Sequence, residues 1–213
     1  MNYFFTKFIF ATVISFFSIN AYAESSYIKF NFGISSNEVD ATASSGTIST
    51  DDEDVGFILS GGALIGDNWG VDVMYYDMGD SKITVTSDDT LTINGSDYAI
   101  YSGGDITRNV TGLGLGFIAT SNSDGEFLST DIYVKLGLHA WDKEGSTTLT
   151  DGNSAFNSKY YNEGIGAYAG AGFAVNLFEN TSLDFSYDVI GVSSNGDFDN
   201  SSSLLSAGVR VKF

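Results

Sequence analysis

The stretch SSSLLSAGVRVKF, residues 201–213, alternates apolar and polar side chains over most of its length. Because successive side chains of a strand point to opposite faces, Arg210 and Lys212 fall on one face of such a strand. The opposite face is apolar and consists of Leu205, Ala207, Val209, Val211 and Phe213. Termini of soluble domains usually fray into polar tails, so an ordered strand here predicts that it pairs with another strand and closes a sheet.

The beginning of the chain has the composition of a secretory signal peptide. Residues 1–23 contain one positive charge, Lys7, then a mainly apolar run over 8–19 and the tripeptide AYA at 21–23. A charged start, a short apolar core and an A-x-A cleavage site are typical of such a peptide, and the run is too short for a transmembrane helix. We predict that residues 1–23 are removed and that 24–213 form one domain; an uncleaved anchor helix is the alternative.

The composition limits how this domain is stabilised and what it binds. The chain contains no Cys, so a secreted form has no disulfides and depends on packing or on a closed sheet. Without Lys7, eight basic residues remain against 27 acidic ones. Because nucleic-acid binding needs a basic surface, we expect no nucleic-acid partner. The 25 Gly residues and 15% aromatic residues suit strands joined by tight turns.

Alternation with a period of two, which is typical of strands, recurs along the whole chain. The eight alternating stretches are 26–35, 55–65, 70–79, 108–119, 128–141, 162–175, 182–192 and 201–213. Short connections alternate with longer ones; the short ones are 66–69, 120–127 and 176–181, and the longer ones are 35–54, 80–107, 142–162 and 193–202. Strands of about 10 residues cross a bilayer when tilted. We predict an all-β, eight-stranded antiparallel up-and-down transmembrane β-barrel with short periplasmic turns and long extracellular loops.

The charged residues of the predicted strands share the face opposite the apolar stripe. They are Lys29, Asp72, Arg108, Asp131, Lys135, Asp184, Asp188, Arg210 and Lys212. A secreted soluble sandwich or lipocalin-like barrel would place charges outside, and periodicity alone does not separate the two folds. Glycine-rich polar faces at 108–119 and 162–175, alternating connection lengths and aromatic residues at strand ends favour the membrane barrel.

We therefore expect these nine charges to lie in the lumen. An eight-stranded barrel is only just wide enough for side chains, and buried charges have to be paired. An ion-pair network that fills the lumen is therefore favoured over a polar pore or a proton path. We place Lys135 at the middle of this network, with Asp72 and Asp184 as its candidate partners.

The ending LLSAGVRVKF, residues 204–213, resembles the C-terminal signature of bacterial outer-membrane barrels, in which alternating apolar residues end in Phe. The resemblance implies that the barrel-assembly machinery recognises Val209, Val211 and Phe213. The mature chain is similar to the OmpA-like or OmpX-like eight-stranded barrel family of Gram-negative bacteria. This implies a monomer in the cell outer membrane, in contact with lipid and lipopolysaccharide. We expect the chain to consist of the barrel alone, without the peptidoglycan-binding domain of OmpA-type proteins.

The predicted loops are strongly acidic. Over 35–54, 77–107, 142–163 and 193–202 they carry 18 acidic and three basic residues. The densest run is Asp51, Asp52, Glu53 and Asp54. Because carboxylates ligate Ca²⁺, these four are weak candidates for a divalent-cation site, and a solvated acidic surface is the other interpretation. Residues 87–105 are expected to form a hairpin above the membrane whose exposed edges can pair with partner chains.

The sequence offers little for catalysis. Some outer-membrane barrels are lipid A deacylases or phospholipases that use a His beside a Ser, but the HAWD stretch at His139 has no Ser at the required spacing. With no phosphate-binding loop and no Cys-based metal site, we predict no enzymatic activity and no cofactor. The favoured function is a structural or interaction platform that displays acidic loops, for adhesion or envelope integrity. A narrow porin-like channel is the alternative, and a lipid A or phospholipid hydrolase is less favoured.

Overall fold

The structure is a computed structural model that describes residues 25–37, 41–43, 47–86, 90–93, 96–99, 103–124, 129–150, 155–192 and 201–213. The predicted signal peptide, residues 1–23, lies outside the described residues. Within these ranges, no helix has the length and apolar character needed to cross a membrane.

The described residues form strands joined by turns. The strands are β1 (Ser25–Asn37), β2 (Ala41–Ala43), β3 (Thr47–Asp51), β4 (Glu53–Gly66), β5 (Trp69–Thr86), β6 (Thr90–Ile93), β7 (Ser96–Ala99), β8 (Gly104–Asp124), β9 (Ser129–Thr150), β10 (Ala155–Phe178), β11 (Thr181–Gly191) and β12 (Ser201–Lys212). Two tight turns, at residues 67–68 and 179–180, lie where short connections were predicted.

Eight of these strands form a closed ring. In the order β1, β4, β5, β8, β9, β10, β11 and β12, each strand pairs antiparallel with the next, and β12 pairs back with β1. At the closure, Phe30 lies opposite Val209, so the C-terminal strand pairs as its alternation predicted. The predicted all-β, eight-stranded antiparallel barrel is confirmed. Below, the turn end is the end with the two tight turns, and the loop end is the opposite one.

The strands are longer than the predicted 10 residues. β9 has 22 residues and β10 has 24, and they stay paired from Trp141–Gly164 up to Thr150–Ala155. The predicted loop at 142–162 is therefore largely a β-hairpin that rises above the barrel. Its Thr and Tyr residues favour strands, and cross-strand pairing satisfies the backbone groups that a loop would expose to water.

A similar extension occurs in the 87–105 region. There, β6 and β7 form the expected hairpin, but β6 pairs with β2 in a separate sheet of three strands. β5 and β8 also remain paired up to Val85 and Gly104, and β3 adds to β5 at this level. The loop end therefore carries a sheet that stands above the ring.

The barrel is apolar outside and polar inside. Phe117, Leu136 and Leu138 point outward with about two thirds of their surface exposed, at 66%, 64% and 62%. Asp72 and His139 point inward and are completely buried. A soluble barrel has the opposite arrangement, so the lipocalin-like alternative is wrong and the outer surface suits lipid.

Aromatic side chains inside the barrel lie against glycines of the neighbouring strand. Five pairs are directly opposite in register: Tyr27–Gly62, Tyr76–Gly112, Tyr168–Gly137, Tyr133–Gly172 and Trp141–Gly164. A Cβ atom at Gly112 would collide with the Tyr76 ring and with the carbonyl of Ala140. The glycine-rich faces of β8 and β10 therefore make room for large rings in a narrow lumen.

We expect Gly112→Val to destabilise the barrel by about 1–3 kcal/mol, because the new side chain overpacks the lumen against Tyr76. Ala119→Val on the same strand is the control, since Ala119 is exposed on the outer face, and we expect a change within about 0.5 kcal/mol. Urea unfolding of the reconstituted barrel measures both. Equal stabilities of the two variants would show that the glycine face is not required.

Candidate functional site

Asp184, on β11 near the turn end, is the centre of the charged groups in the lumen. Its Oδ2 accepts a hydrogen bond from Arg210 Nη2 at 2.5 Å. Its Oδ1 accepts hydrogen bonds from Tyr133 Oη at 2.7 Å and from Asn31 Nδ2 at 2.8 Å, and Lys29 Nζ lies 3.4 Å away. A carboxylate that is completely buried needs several hydrogen-bond donors and nearby positive charge to be stable, and Asp184 has both.

The same carboxylate holds the closing seam of the ring. Lys29 on β1 and Arg210 on β12 lie directly opposite each other in register, where two positive charges repel. Asp184 binds both of them, so β1, β11 and β12 share one charge cluster. The Arg210 guanidinium also lies 4.6 Å from the centre of the Tyr133 ring and 5.1 Å from that of Tyr27.

The cluster continues to the rim at the turn end. Asp131 on β9 accepts a hydrogen bond from Lys212 and lies 3.7 Å from Arg210 Nη1. Lys212 is the outermost member, with 34% of its side chain exposed. The ionic cluster is defined here as Lys29, Asp131, Asp184, Arg210 and Lys212.

Lys135 pairs with a different residue from those predicted. Its Nζ lies 2.7 Å from Asp188 Oδ1, whereas the predicted contacts were with Asp72 and Asp184. Register explains the difference, because Lys135 and Asp188 both lie opposite Gly170, which has no side chain between them. Asp72 instead accepts a hydrogen bond from Tyr27 Oη at 2.7 Å.

Arg108, the ninth predicted lumen charge, lies apart from the others at the loop end. It is on β8 opposite Gly145, in the electrostatic field of Lys143. Burial, together with the charge of Arg108, lowers the pKa of Lys143 from 10.5 to about 8. Lys143 Nζ lies 5.5 Å from the centre of the Trp141 ring, so this cation caps the lumen at its mouth.

Between the mouth and the charged half, the lumen is filled mainly by apolar side chains, and on the β1 side Ser35 and Asn37 donate hydrogen bonds to the Met78 carbonyl. The apolar layer is defined as Ile58, Met74, Tyr76, Met78, Val110, Trp141, Tyr168, Ile190, Val192 and Leu204, all of them buried. These side chains come from β4, β5, β8, β9, β10, β11 and β12, and from residue 192 just after β11. The layer therefore extends around most of the ring, at the half nearer the loop end.

His139 lies in this layer and bridges two strands. Its Nδ1 is 2.6 Å from Tyr76 Oη, and its Nε2 is 3.0 Å from the carbonyl oxygen of Gly191. The carbonyl can only accept, so Nε2 donates to it and Nδ1 of a neutral ring accepts from Tyr76. Both ring nitrogens are thus occupied, and no Ser hydroxyl takes part in these contacts.

The acidic run at 51–54 is spread over the β3–β4 connection. Asp51 lies opposite Lys82, and Asp54 Oδ2 accepts a hydrogen bond from the Asp80 N–H at 2.7 Å. The carbonyl of Asp52 accepts from the Asn37 N–H, and Glu53 begins β4. Among the residues that the structure describes, no group of three or more His, Cys, Asp or Glu side chains is placed to hold a metal ion.

The predicted assembly residues occupy the outer face of the closing strand. Val209 and Val211 on β12 are 45% and 44% exposed, opposite Phe30 and Ile28. Phe213 exchanges two backbone hydrogen bonds with Ser26. These residues thus form the outer side of the seam.

Sequence reasoning missed the hydroxyl and amide members of the lumen. Tyr27, Asn31 and Tyr133 complete the hydrogen bonds of Asp72 and Asp184. Their position on the charged face of each stretch was a usable signal, because a residue at that phase points into the lumen.

Comparisons with known proteins agree with this architecture. The family model described as "Outer membrane protein beta-barrel domain" matches residues 9–213. Among solved structures, the outer membrane protein OprG from Pseudomonas aeruginosa is similar at 16% identity and a TM-score of 0.50, with 90% of this chain and 97% of OprG covered. At that identity the likeness shows the fold alone.

Two further solved structures are similar at lower TM-scores. Ail, the attachment invasion locus protein of Yersinia pestis, has 15% identity and a TM-score of 0.48, with 88% of this chain and 99% of Ail covered. Neisserial surface protein A has 21% identity and a TM-score of 0.44, with 88% and 97% covered. The comparison with curated proteins gave no match.

We expect Asp184→Asn to destabilise the barrel by about 3–5 kcal/mol, because it leaves Lys29 and Arg210 buried without their shared counter-charge. Asp105→Asn is the control, since Asp105 pairs with Lys82 at 3.0 Å where both side chains are nearly half exposed, and such pairs contribute about 1 kcal/mol or less. Urea midpoints of the two variants make the comparison. Equal losses would mean that the ionic cluster does not secure the seam.

Proposed function

The chain belongs to the outer membrane β-barrel family, and we propose that it is a closed barrel that displays acidic loops at the cell surface. It resides in the outer membrane, with the turn end in the periplasm and the loop end outside. The observation that carries the proposal is the filled lumen. The largest fully buried side chains include Trp141, Tyr76, Tyr133, Tyr168 and Lys29, all of which point into the barrel.

A filled lumen supports a platform more than a pore. Eight strands enclose only enough space for side chains, and here ion pairs occupy one half and the apolar layer the other. The described residues therefore leave no continuous water-filled passage of the kind that larger porins use. The role then depends on the outer surface and the loops.

The charge distribution supports recognition at the extracellular end. The predicted loops carry 18 acidic and three basic residues. Some of these acidic residues lie on strands that extend above the membrane. A negative surface attracts cationic partners and raises their association rate. We assign the loops to adhesion or envelope contacts with basic partners.

The proposal includes the route to the membrane. Residues 1–23 act as a cleaved signal peptide, and Val209, Val211 and Phe213 act as the signal for the barrel-assembly machinery. Their outward position on the closing strand supports this, because a partner can reach them before β12 pairs with β1. The mature barrel acts as a monomer in contact with outer-membrane lipid and lipopolysaccharide.

We expect the purified barrel to be electrically silent in planar lipid bilayers. The reason is the occluded lumen, which leaves no continuous aqueous path for ions. Discrete current steps are the measurement, and a general porin reconstituted in the same bilayer is the positive control. Regular unitary current steps from the barrel alone would contradict the platform function and support the narrow channel.

We expect neutralisation of the loop run to weaken binding of a cationic probe. Changing residues 51–54 to their amides should lower affinity for oligolysine by about three- to tenfold at low ionic strength, with the barrel in phosphatidylcholine nanodiscs. The matched control removes four acidic charges from the predicted short connections, by amide substitution of Asp67, Asp124, Glu126 and Glu179. Equal effects of both variants would show attraction by net charge without a preference for the loops.

A further inference from the structure

The two halves of the lumen differ in how their polar groups are hydrogen-bonded. In the periplasmic half and at its upper border, four buried oxygens have neither a hydrogen-bond nor an ion-pair partner among the described residues: Asn31 Oδ1, Ser60 Oγ, Asp72 Oδ1 and Tyr168 Oη. A fifth, Asp188 Oδ1, makes no hydrogen bond but is ion-paired with Lys135. A buried polar atom without a partner is costly, and water is the usual bridge where several such atoms line one space.

These oxygens surround charged groups that attract water. Asp72 interacts electrostatically with Lys135 and Lys29, and Tyr168 interacts with Asp72 and Asp188. The Tyr168 hydroxyl lies over Gly116, which is directly opposite Asp72 in register. The unpartnered atoms are therefore part of one polar space around Asp72.

The polar space is continuous with the periplasmic rim. Lys212, one third exposed, contacts Asp131, and Asp131 in turn lies beside Arg210 and through it is linked to Asp184. Each step along this path joins charged groups. Lys29, which pairs with Asp184, interacts electrostatically with Asp72, so charged groups lead from the rim to the polar space, beside the buried cluster of Tyr27, Ile118 and Tyr133.

The apolar layer has the opposite character. Its internal polar groups satisfy each other, since Tyr76 donates to His139 and His139 donates to the carbonyl of Gly191. Unpartnered polar atoms of the layer occur at its two borders, as Tyr168 Oη on the periplasmic side and Trp141 Nε1 below Lys143 on the outer side. Hydrophobic constrictions of this kind block ions by excluding water.

From this contrast we propose that the apolar layer is the barrier that closes the barrel, and that the ionic half beneath it is hydrated and accessible to small ions from the periplasmic end. The proposal rests on the proposed function of a closed platform and names the residues that close it. In this arrangement the ion pairs stabilise the association of the strands, as at the seam. Met78, Trp141 and their neighbours block the passage of ions.

The first experiment compares two single-Cys variants in a chain that has no Cys of its own. Ser60→Cys and Ile58→Cys lie on the same face of β4, two residues apart, and both native side chains are buried at 3% and 1% exposure. Ag⁺ is the probe, because it is a small ion that reacts with thiols. We expect the free thiol of Ser60→Cys to be lost at least about tenfold faster than that of Ile58→Cys, since reaction requires access.

The second experiment measures current through variants of the layer. The variant Met78→Ala/Trp141→Ala removes bulk, and Met78→Gln/Leu204→Asn adds polarity at nearly constant volume. We expect both to conduct in planar bilayers, with a time-averaged current at least about tenfold above that of the native barrel. The control Lys135→Met/Asp188→Leu removes an ion pair below the layer, and we expect it to remain silent.

Each outcome has a distinct meaning, once a shift in gel mobility on boiling has shown that every variant is folded. A native barrel that conducts contradicts the platform. A silent native barrel with silent layer variants, or with a conducting Lys135→Met/Asp188→Leu variant, overturns the barrier assignment and leaves the platform intact. Equal Ag⁺ reaction rates at positions 58 and 60, or no reaction at either, overturn it as well.

Discussion

In lipid, an unpaired backbone N–H or C=O costs several kcal/mol, so the first and last strands have to pair along their length. The pairing of β1 with β12 meets this requirement, and it places Lys29 directly opposite Arg210. Two opposed cations in a region without bulk water need a shared anion. Asp184 on β11 supplies it, so the seam follows from backbone hydrogen bonding and the ionic cluster follows from the seam.

The same closure fixes the width of the lumen, and the width explains the glycines. Eight strands leave room for side chains and little else, so a Tyr or Trp that points inward needs an opposite residue without a side chain. Two such pairs of a large ring and an opposite glycine are Tyr76 with Gly112 and Trp141 with Gly164. Close packing of this kind fills the layer, because each ring occupies the volume that its glycine partner leaves free.

The sequence was sufficient for properties that depend on the period of the pattern. The number of strands in the ring, the inward face of each of them and the pairing of residues 201–213 follow from alternation, because each strand keeps one phase of the pattern. Contacts between strands depend on register, and a shift of one pair changes every partner. For this reason Lys135 pairs with Asp188 and not, as was predicted, with Asp72 or Asp184. Cross-strand pairing is also the reason that parts of the predicted loops are strands.

The distribution of charge separates the part of the chain that maintains the barrel from the part that can recognise a partner. Below the mouth, the predicted lumen charges are four basic and four acidic residues, and Arg108 lies apart at the loop end. A narrow lumen shielded from bulk water imposes such a balance, because an uncompensated charge there is expensive. The loops are free of that constraint since water solvates them, and they carry 18 acidic residues against three basic ones. Uncompensated charge, which a partner can sense at a distance, is therefore concentrated where the barrel meets the outside.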